Sequence, residues 1–179
     1  KMKFKKSKII ITTMLLLCFA IMPIKVFAST EFGDVDIEGV TFDYNPGDAP
    51  QANATPMDGW YGLYSVEYEY WEEMETNEKG ESVPVKYWYS DKSKNDAIPS
   101  DKRITTFEEG KTYMYSISLK AKGENRFGNN SSVRVNGTKI SSVSVPNSGT
   151  VLFVTAVQTI KPTKPVELKR IDVIELNNA

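Results

Sequence analysis

The sequence predicts an all-β fold: an antiparallel sandwich of about seven strands, preceded by a signal peptide. Three observations carry that reading. Apolar residues after the first 28 positions recur with period two, where an amphipathic helix needs a period near 3.6. Gly, Asn, Pro and Asp separate these alternating runs, as strand-connecting turns require. A basic, then apolar, then small-residue stretch opens the chain.

Lys1, Lys3, Lys5, Lys6 and Lys8 form a basic region, Ile9 to Ile21 an apolar one, and Val26-Phe27-Ala28 places small residues where signal peptidase reads them. Cleavage is expected between Ala28 and Ser29. Pro23 and Lys25 interrupt the apolar run before it reaches spanning length, so no membrane insertion is expected after cleavage. Cys18 follows Leu15-Leu16-Leu17 and lacks the small residue that a lipid-anchored cysteine needs before it.

Removing residues 1–28 changes the chemistry of what remains. The only cysteine leaves, and the chain has no histidine, so residues 29–179 contain neither. Six of the 22 basic residues leave too, which sets 16 against 23 acidic ones and a net charge near −7. Such a domain is a poor partner for nucleic acid or an anionic surface. It is long enough to bury a core without disulfides, a style of secretion common among Gram-positive bacteria.

Along the remaining chain, Val40-Thr41-Phe42-Asp43-Tyr44 reads as a first strand, broken by Asn45-Pro46-Gly47. Tyr64 to Tyr70 alternates aromatic and aliphatic residues with Ser and Glu. On that alternation Glu67 and Glu69 point to solvent and the tyrosines inward. Glu72 to Glu81 has no apolar face and reads as a solvated loop. Val83 to Tyr89 alternates again, with Pro84 confined to a strand start, a bulge or an edge. Tyr113, Tyr115, Ile117, Leu119 and Ala121 share one face of the clearest strand. Val133 to Val135 runs into Asn136-Gly137, a pair suited to a type I′ hairpin turn, and Thr138 to Ile140 leads away. Asn147-Ser148-Gly149 turns the chain into Thr150 to Ile160, apolar on both faces and therefore expected to be central and covered. Parallel pairing is excluded for want of long crossovers. The sandwich is thus assigned to residues 29–161. Residues 162–179 are read as a Pro-rich spacer and a last strand, either an edge or the start of a truncated next module.

Phe107-Glu108-Glu109-Gly110-Lys111-Thr112-Tyr113 resembles the corner before strand F of fibronectin type III and related immunoglobulin-like (Ig-like) domains. The resemblance implies that Tyr113 is a corner tyrosine whose hydroxyl ties back to upstream backbone. A longer pattern runs through Trp88-Tyr89-Ser90-Asp91, Ile104 to Phe107, Phe127 and Val133 to Gly137. It is similar to uncharacterised Ig-like β-sandwich modules in secreted and surface proteins of Gram-positive gut Firmicutes. That resemblance implies a fold and no catalytic motif. It lacks the inter-sheet cysteine pair of antibody domains and the wall-sorting motif needed for covalent anchoring.

Without Cys or His, nucleophilic catalysis through those groups and imidazole or thiolate metal sites are excluded. Carboxylates remain, and Glu67, Glu69, Glu72 and Glu73 cluster, but their strand alternation reads as a solvated face. Asp91-x-Ser93-x-Asn95-Asp96 spaces oxygen ligands like a calcium loop. It carries Asp96 where that loop needs glycine and Lys102 where it needs a bidentate acid, so Asx turns are the plainer reading. Trp60, Trp71 and Trp88 are the candidate ligand-binding residues, since flat rings stack on sugars or peptides. The expectation is a secreted, non-catalytic, monomeric binding or adhesion module without metal or cofactor, wall-associated at most non-covalently. Its partner would be a protein or glycan at a cell surface. The alternatives are a carbohydrate-binding module using exposed Trp and Tyr, and a secreted enzyme inhibitor or immunity-type protein.

Overall fold

The computed structural model of the protein describes residues 30–146 and 148–164. The signal peptide with its Ala28-Ser29 junction, Asn147, and the expected strand from Val166 to Leu176 lie outside the described residues. Among the described residues, nine strands form two sheets. One contains β1 (Glu31–Glu38), β2 (Thr55–Pro56), β6 (Arg126–Val135) and β7 (Thr138–Ile140), in the order β2, β1, β6, β7. The other contains β3 (Tyr64–Thr76), β4 (Ser82–Tyr89), β5 (Thr112–Ala121), β8 (Val143–Ser144) and β9 (Val151–Ile160), in the order β4, β3, β5, β9, β8. A one-turn helix, α1 (Lys92–Asp96), and a 3-10 turn at Ser100–Lys102 follow β4.

The sheets enclose one core. Phe32, Val35 and Ile37 of β1 with Phe127, Val133 and Val135 of β6 face Tyr64, Trp71, Tyr115, Ile117, Leu119, Leu152 and Val154 of the larger sheet. Rings join the layers, with Phe32 5.6 Å and Phe127 5.9 Å from Tyr64 between centroids. The Tyr64 hydroxyl crosses the interface, donating to the Asp36 carbonyl (2.8 Å) and accepting from the Asp36 N–H (3.0 Å). Burial, against that backbone bond, pushes the hydroxyl up to about 12.

Several expectations hold. β5 keeps its alternation throughout, with Tyr113, Tyr115, Ile117 and Leu119 buried. Asn136 and Gly137 both take positive φ, 49° and 77°, and close the β6–β7 hairpin. Pro84 lies opposite Met74 at a register shift in an edge strand, where its missing N–H breaks no central ladder.

Others do not. Pairing is not antiparallel throughout: β1 runs parallel to β6, Val35 opposite Val133 and Ile37 opposite Val135. The crossover thought to be missing is the run of chain through β2, β3, β4 and β5, which lies between these two strands in sequence. Val40 to Tyr44 is no strand; Val40 and Tyr44 are buried and Asp43 is exposed, but the backbone joins neither sheet. The alternation is satisfied by draping over the open end of the core, where Tyr44 meets Phe107 (4.5 Å) and Phe42 meets Tyr115 (5.5 Å). β9 is interior to its sheet yet covered on one face only, since Leu152 and Val154 are buried while Phe153 is half-buried. Glu72 to Thr76 continues β3. Only Asn77 to Gly80 turns, held by the Asn77 Oδ1, which accepts from the N–H groups of Lys79 and Glu81 at 2.9 Å each.

Candidate functional site

A single extra residue in β3 decides what this sheet shows to solvent. Val66 pairs with Leu119 and Tyr68 with Ser118, so Glu67 has no opposite number and forms a β-bulge. Because strand side chains alternate faces, one inserted residue reverses everything beyond it. Tyr64 faces the core before the bulge; Glu69, Trp71 and Glu73 face it afterwards, and Tyr68, Tyr70 and Glu72 face outward. The expectation holds before the bulge, with Tyr64 core and Glu67 solvated, and is reversed beyond it for Glu69, Tyr68 and Tyr70.

The inward carboxylates are both committed. Glu69 is 3% exposed; its Oε1 accepts from the Ala54 N–H (2.9 Å) and its Oε2 from the Tyr115 hydroxyl (2.5 Å). Burial, with no cation alongside, holds its carboxyl above the usual range despite these bonds. Glu73, 1% exposed, lies 3.3 Å from Lys86 Nζ and 3.4 Å from Lys111 Nζ. Those lysines also reach Glu108 (3.1 Å) and Glu75 (2.7 Å), making a five-membered chain of alternating charge. The Tyr113 hydroxyl, 3.5 Å from Glu73, accepts from the Glu108 N–H at 2.9 Å. That places a tyrosine hydroxyl on backbone five residues upstream, at the position the Ig-like corner resemblance singles out.

The outward face is aromatic. Tyr70 of β3 stands directly opposite Tyr89 of β4, and Glu72 opposite Tyr87. Ring centroids of Tyr70 and Tyr89 are 5.5 Å apart at 22°, and Tyr68 completes the group 5.7 Å from Tyr89 and 6.0 Å from Tyr70. All four tyrosines and Glu72 are half-buried. On β5, Ser116 and Ser118 point to this face yet are fully buried, because larger side chains around them, Tyr68 and Tyr70 included, roof them. Burial raises the Glu72 carboxyl; burial and then the charge of Glu72 raise the Tyr89 hydroxyl.

Residues 90 to 104 form a rim to this face along the free edge of β4. Asp91 caps α1 by accepting from the Lys94 N–H (2.9 Å), and the Asn95 side chain accepts from the Tyr89 N–H (3.2 Å). The Arg103 guanidinium donates to the Ile98 (2.7 Å) and Asp96 (3.2 Å) carbonyls, and the Ile104 N–H donates to the Tyr87 carbonyl (2.9 Å). So fixed, α1 sets Lys94 Nζ 4.6 Å from the centroid of the Tyr68 ring, a cation–π contact.

The tryptophans chosen from the sequence do not assemble a platform. Trp71 is wholly buried against Phe107 (5.1 Å) and Tyr115 (4.9 Å), and Trp60 and Trp88 are half-buried against the same core. Trp88 sits opposite Trp71, inward, which is why its neighbours Tyr87 and Tyr89 turn out. Sequence reasoning missed Tyr68 and Tyr70, which it read as core, while Tyr87 and Tyr89 were weighed as platform rings on the face opposite Trp88 but not chosen. The available signal was the adjacency of Tyr70 to Trp71 and of Trp88 to two tyrosines, which requires large rings on both faces. Asp91 to Asp96 is helix with its cap, and among the described residues no group of three or more Asp, Glu, His or Cys could hold a metal ion. No helix among the described residues is long and apolar enough to cross a membrane. The chain matches no protein-family model, no curated protein and no solved structure.

Proposed function

We propose that this chain is a secreted, non-catalytic binding module of the cell surface or extracellular space, and that it holds its ligand on the tyrosine face of the larger sheet. One observation carries the reading: four half-exposed tyrosines and a carboxylate share the outer side of β3 and β4, where a merely solvated face carries short polar or charged groups. Tyrosine supplies large, rigid, amphipathic contact area with little side-chain entropy to lose, which suits recognition. The β3 carboxylates support a non-catalytic role, since Glu69 and Glu73 lie in the core and Glu67 accepts from Ser118 (2.9 Å).

The test compares labelled wild-type protein with a Tyr70→Ala/Tyr89→Ala variant on intact Gram-positive cells, on mucosal surfaces and on a polysaccharide panel. Saturable wild-type binding, weakened at least tenfold in a variant whose circular dichroism is unchanged, is expected. Undiminished binding by the variant overturns the assignment to this face. Absence of wild-type binding to every surface and polysaccharide overturns the function. A second reading, carbohydrate recognition, draws on the same rings, and polysaccharide retardation in affinity gels separates it from protein binding.

A further inference from the structure

We propose that the tyrosine face recognises a lysine side chain of a protein partner, its ammonium group paired with Glu72 and seated among Tyr70, Tyr87 and Tyr89. The inference rests on the binding role proposed above and adds the chemistry of the ligand.

Glu72 stands apart from the other glutamates of β3. Glu67 has Ser118, Glu69 has Tyr115 and Ala54, Glu73 has Lys86 and Lys111, and Glu75 has Lys111. Glu72, half-buried between Tyr87 and Met114, has no ion pair or side-chain hydrogen bond among the described residues. The cations nearest in sequence and pairing are turned away: Lys86 and Lys111 point to Glu73. Lys120 of β5 pairs with Ser65, six residues from the Met114 that faces Glu72, or about 20 Å along the strand. A carboxylate that gives up part of its hydration without gaining a cation is poised to accept one.

The surrounding rings favour the same charge, because tyrosine faces carry the negative lobe of the ring quadrupole and attract ammonium groups. The protein already makes this contact once, with Lys94 on Tyr68. That contact is a lysine side chain on a tyrosine of this face, which favours a peptide lysine over a cationic sugar. The net negative charge of residues 29–179 would draw a basic partner toward the domain.

The experiment titrates the full mature chain with acetyl-Gly-Lys-Gly-amide, followed by backbone amide shifts. Parallel arms use the same peptide acetylated on the lysine ammonium, and a glucosamine tetramer. The lysine peptide is expected to shift Tyr70, Glu72, Tyr87 and Tyr89, and the acetylated peptide to leave them in place. Glu72→Gln should weaken binding at least fivefold and Glu72→Lys abolish it. Glu78→Gln, an equal loss of charge on the exposed β3–β4 turn, should bind as wild type. Melting temperatures within a few degrees of wild type are expected for all three variants. Equal binding of the acetylated peptide, unimpaired binding by Glu72→Gln, or shifts confined elsewhere overturn the inference. So does binding of the glucosamine tetramer without the lysine peptide. Loss of surface binding in Tyr70→Ala/Tyr89→Ala alongside any of these leaves the binding role standing while its lysine chemistry falls.

Discussion

The two faces of β3 beyond its bulge solve the same problem in opposite ways. Inward, Glu69 and Glu73 carry their charges or protons into the core and every oxygen has a donor or cation within 3.5 Å. Outward, Glu72 sits among rings with no such partner among the described residues. The inner carboxylates are each met by a donor or a cation within the chain, although Trp71 Nε1 and Glu73 Oε1 have no hydrogen bond; the outer Glu72 carboxylate has neither a hydrogen bond nor an ion pair among the described residues. The difference points to the outer carboxylate, which has no cation or donor of its own among the described residues, as the place to look for function.

The largest expected effect lies on the inner side. Trp71→Ala should destabilise the protein by about 3–5 kcal/mol, by removing the ring that packs against Phe107, Tyr115 and Tyr44. Urea unfolding measures it, and a loss below about 1 kcal/mol would show that the inward face after the bulge is no core.

Next comes Glu73→Ala, which strips Lys86 and Lys111 of their shared carboxylate. Both lysines are about a third exposed and can rehydrate, so the cost should be about 1–3 kcal/mol, less than for a fully buried pair. Lys86→Met/Lys111→Met in the Glu73→Leu background should recover much of it. No recovery would mean that the charge chain contributes more than its packing.

The smallest effect separates the two buried carboxylates. Glu69 has its pKa raised by burial, so the folded state favours its protonated form more than the unfolded state does. Its contribution is therefore full below the ordinary carboxylate value of 4.5 and declines as pH rises through the raised folded value. Glu69→Gln should flatten the melting temperature against pH over that window and alter neutral stability by about 1 kcal/mol or less. Burial raises Glu72 as well, so a slope that remains in Glu69→Gln should vanish when Glu72→Gln is added. An unchanged profile in the double variant would place the pH dependence elsewhere.

How much of this could be read beforehand follows the pairing. β5 and the Asn136-Gly137 hairpin were legible because their signals are local: an unbroken alternation, and two residues that tolerate positive φ. The type of fold followed from such segments. The phase of β3 was not legible, because the bulge at Glu67 has no Gly or Pro to mark it and exists only in relation to Leu119 and Ser118 of β5. One unmarked residue thus turned Trp71 into the core and Tyr68 and Tyr70 out of it. Val40 to Tyr44 failed for a related reason: alternation reports which side chains are buried and says nothing of which backbone groups find a partner. β1 was overlooked because Gly33 and the register shift beside it interrupt the period between Phe32 and Val35.

The parallel pairing of β1 with β6 has a kinetic side. Glu31 lies opposite Arg126, 95 positions later, so the first strand of the described fold has no main partner until β2 to β5 have been made. Closing so long a loop costs chain entropy before any contact rewards it, and topologies rich in distant pairings fold in milliseconds to seconds. The larger sheet, from β3 through β5, joins neighbours along the chain and has no such wait. Loop-closure entropy therefore favours pairing of β3 with β4 and β5, the strands that carry the tyrosines, ahead of the pairing of β1 with β6.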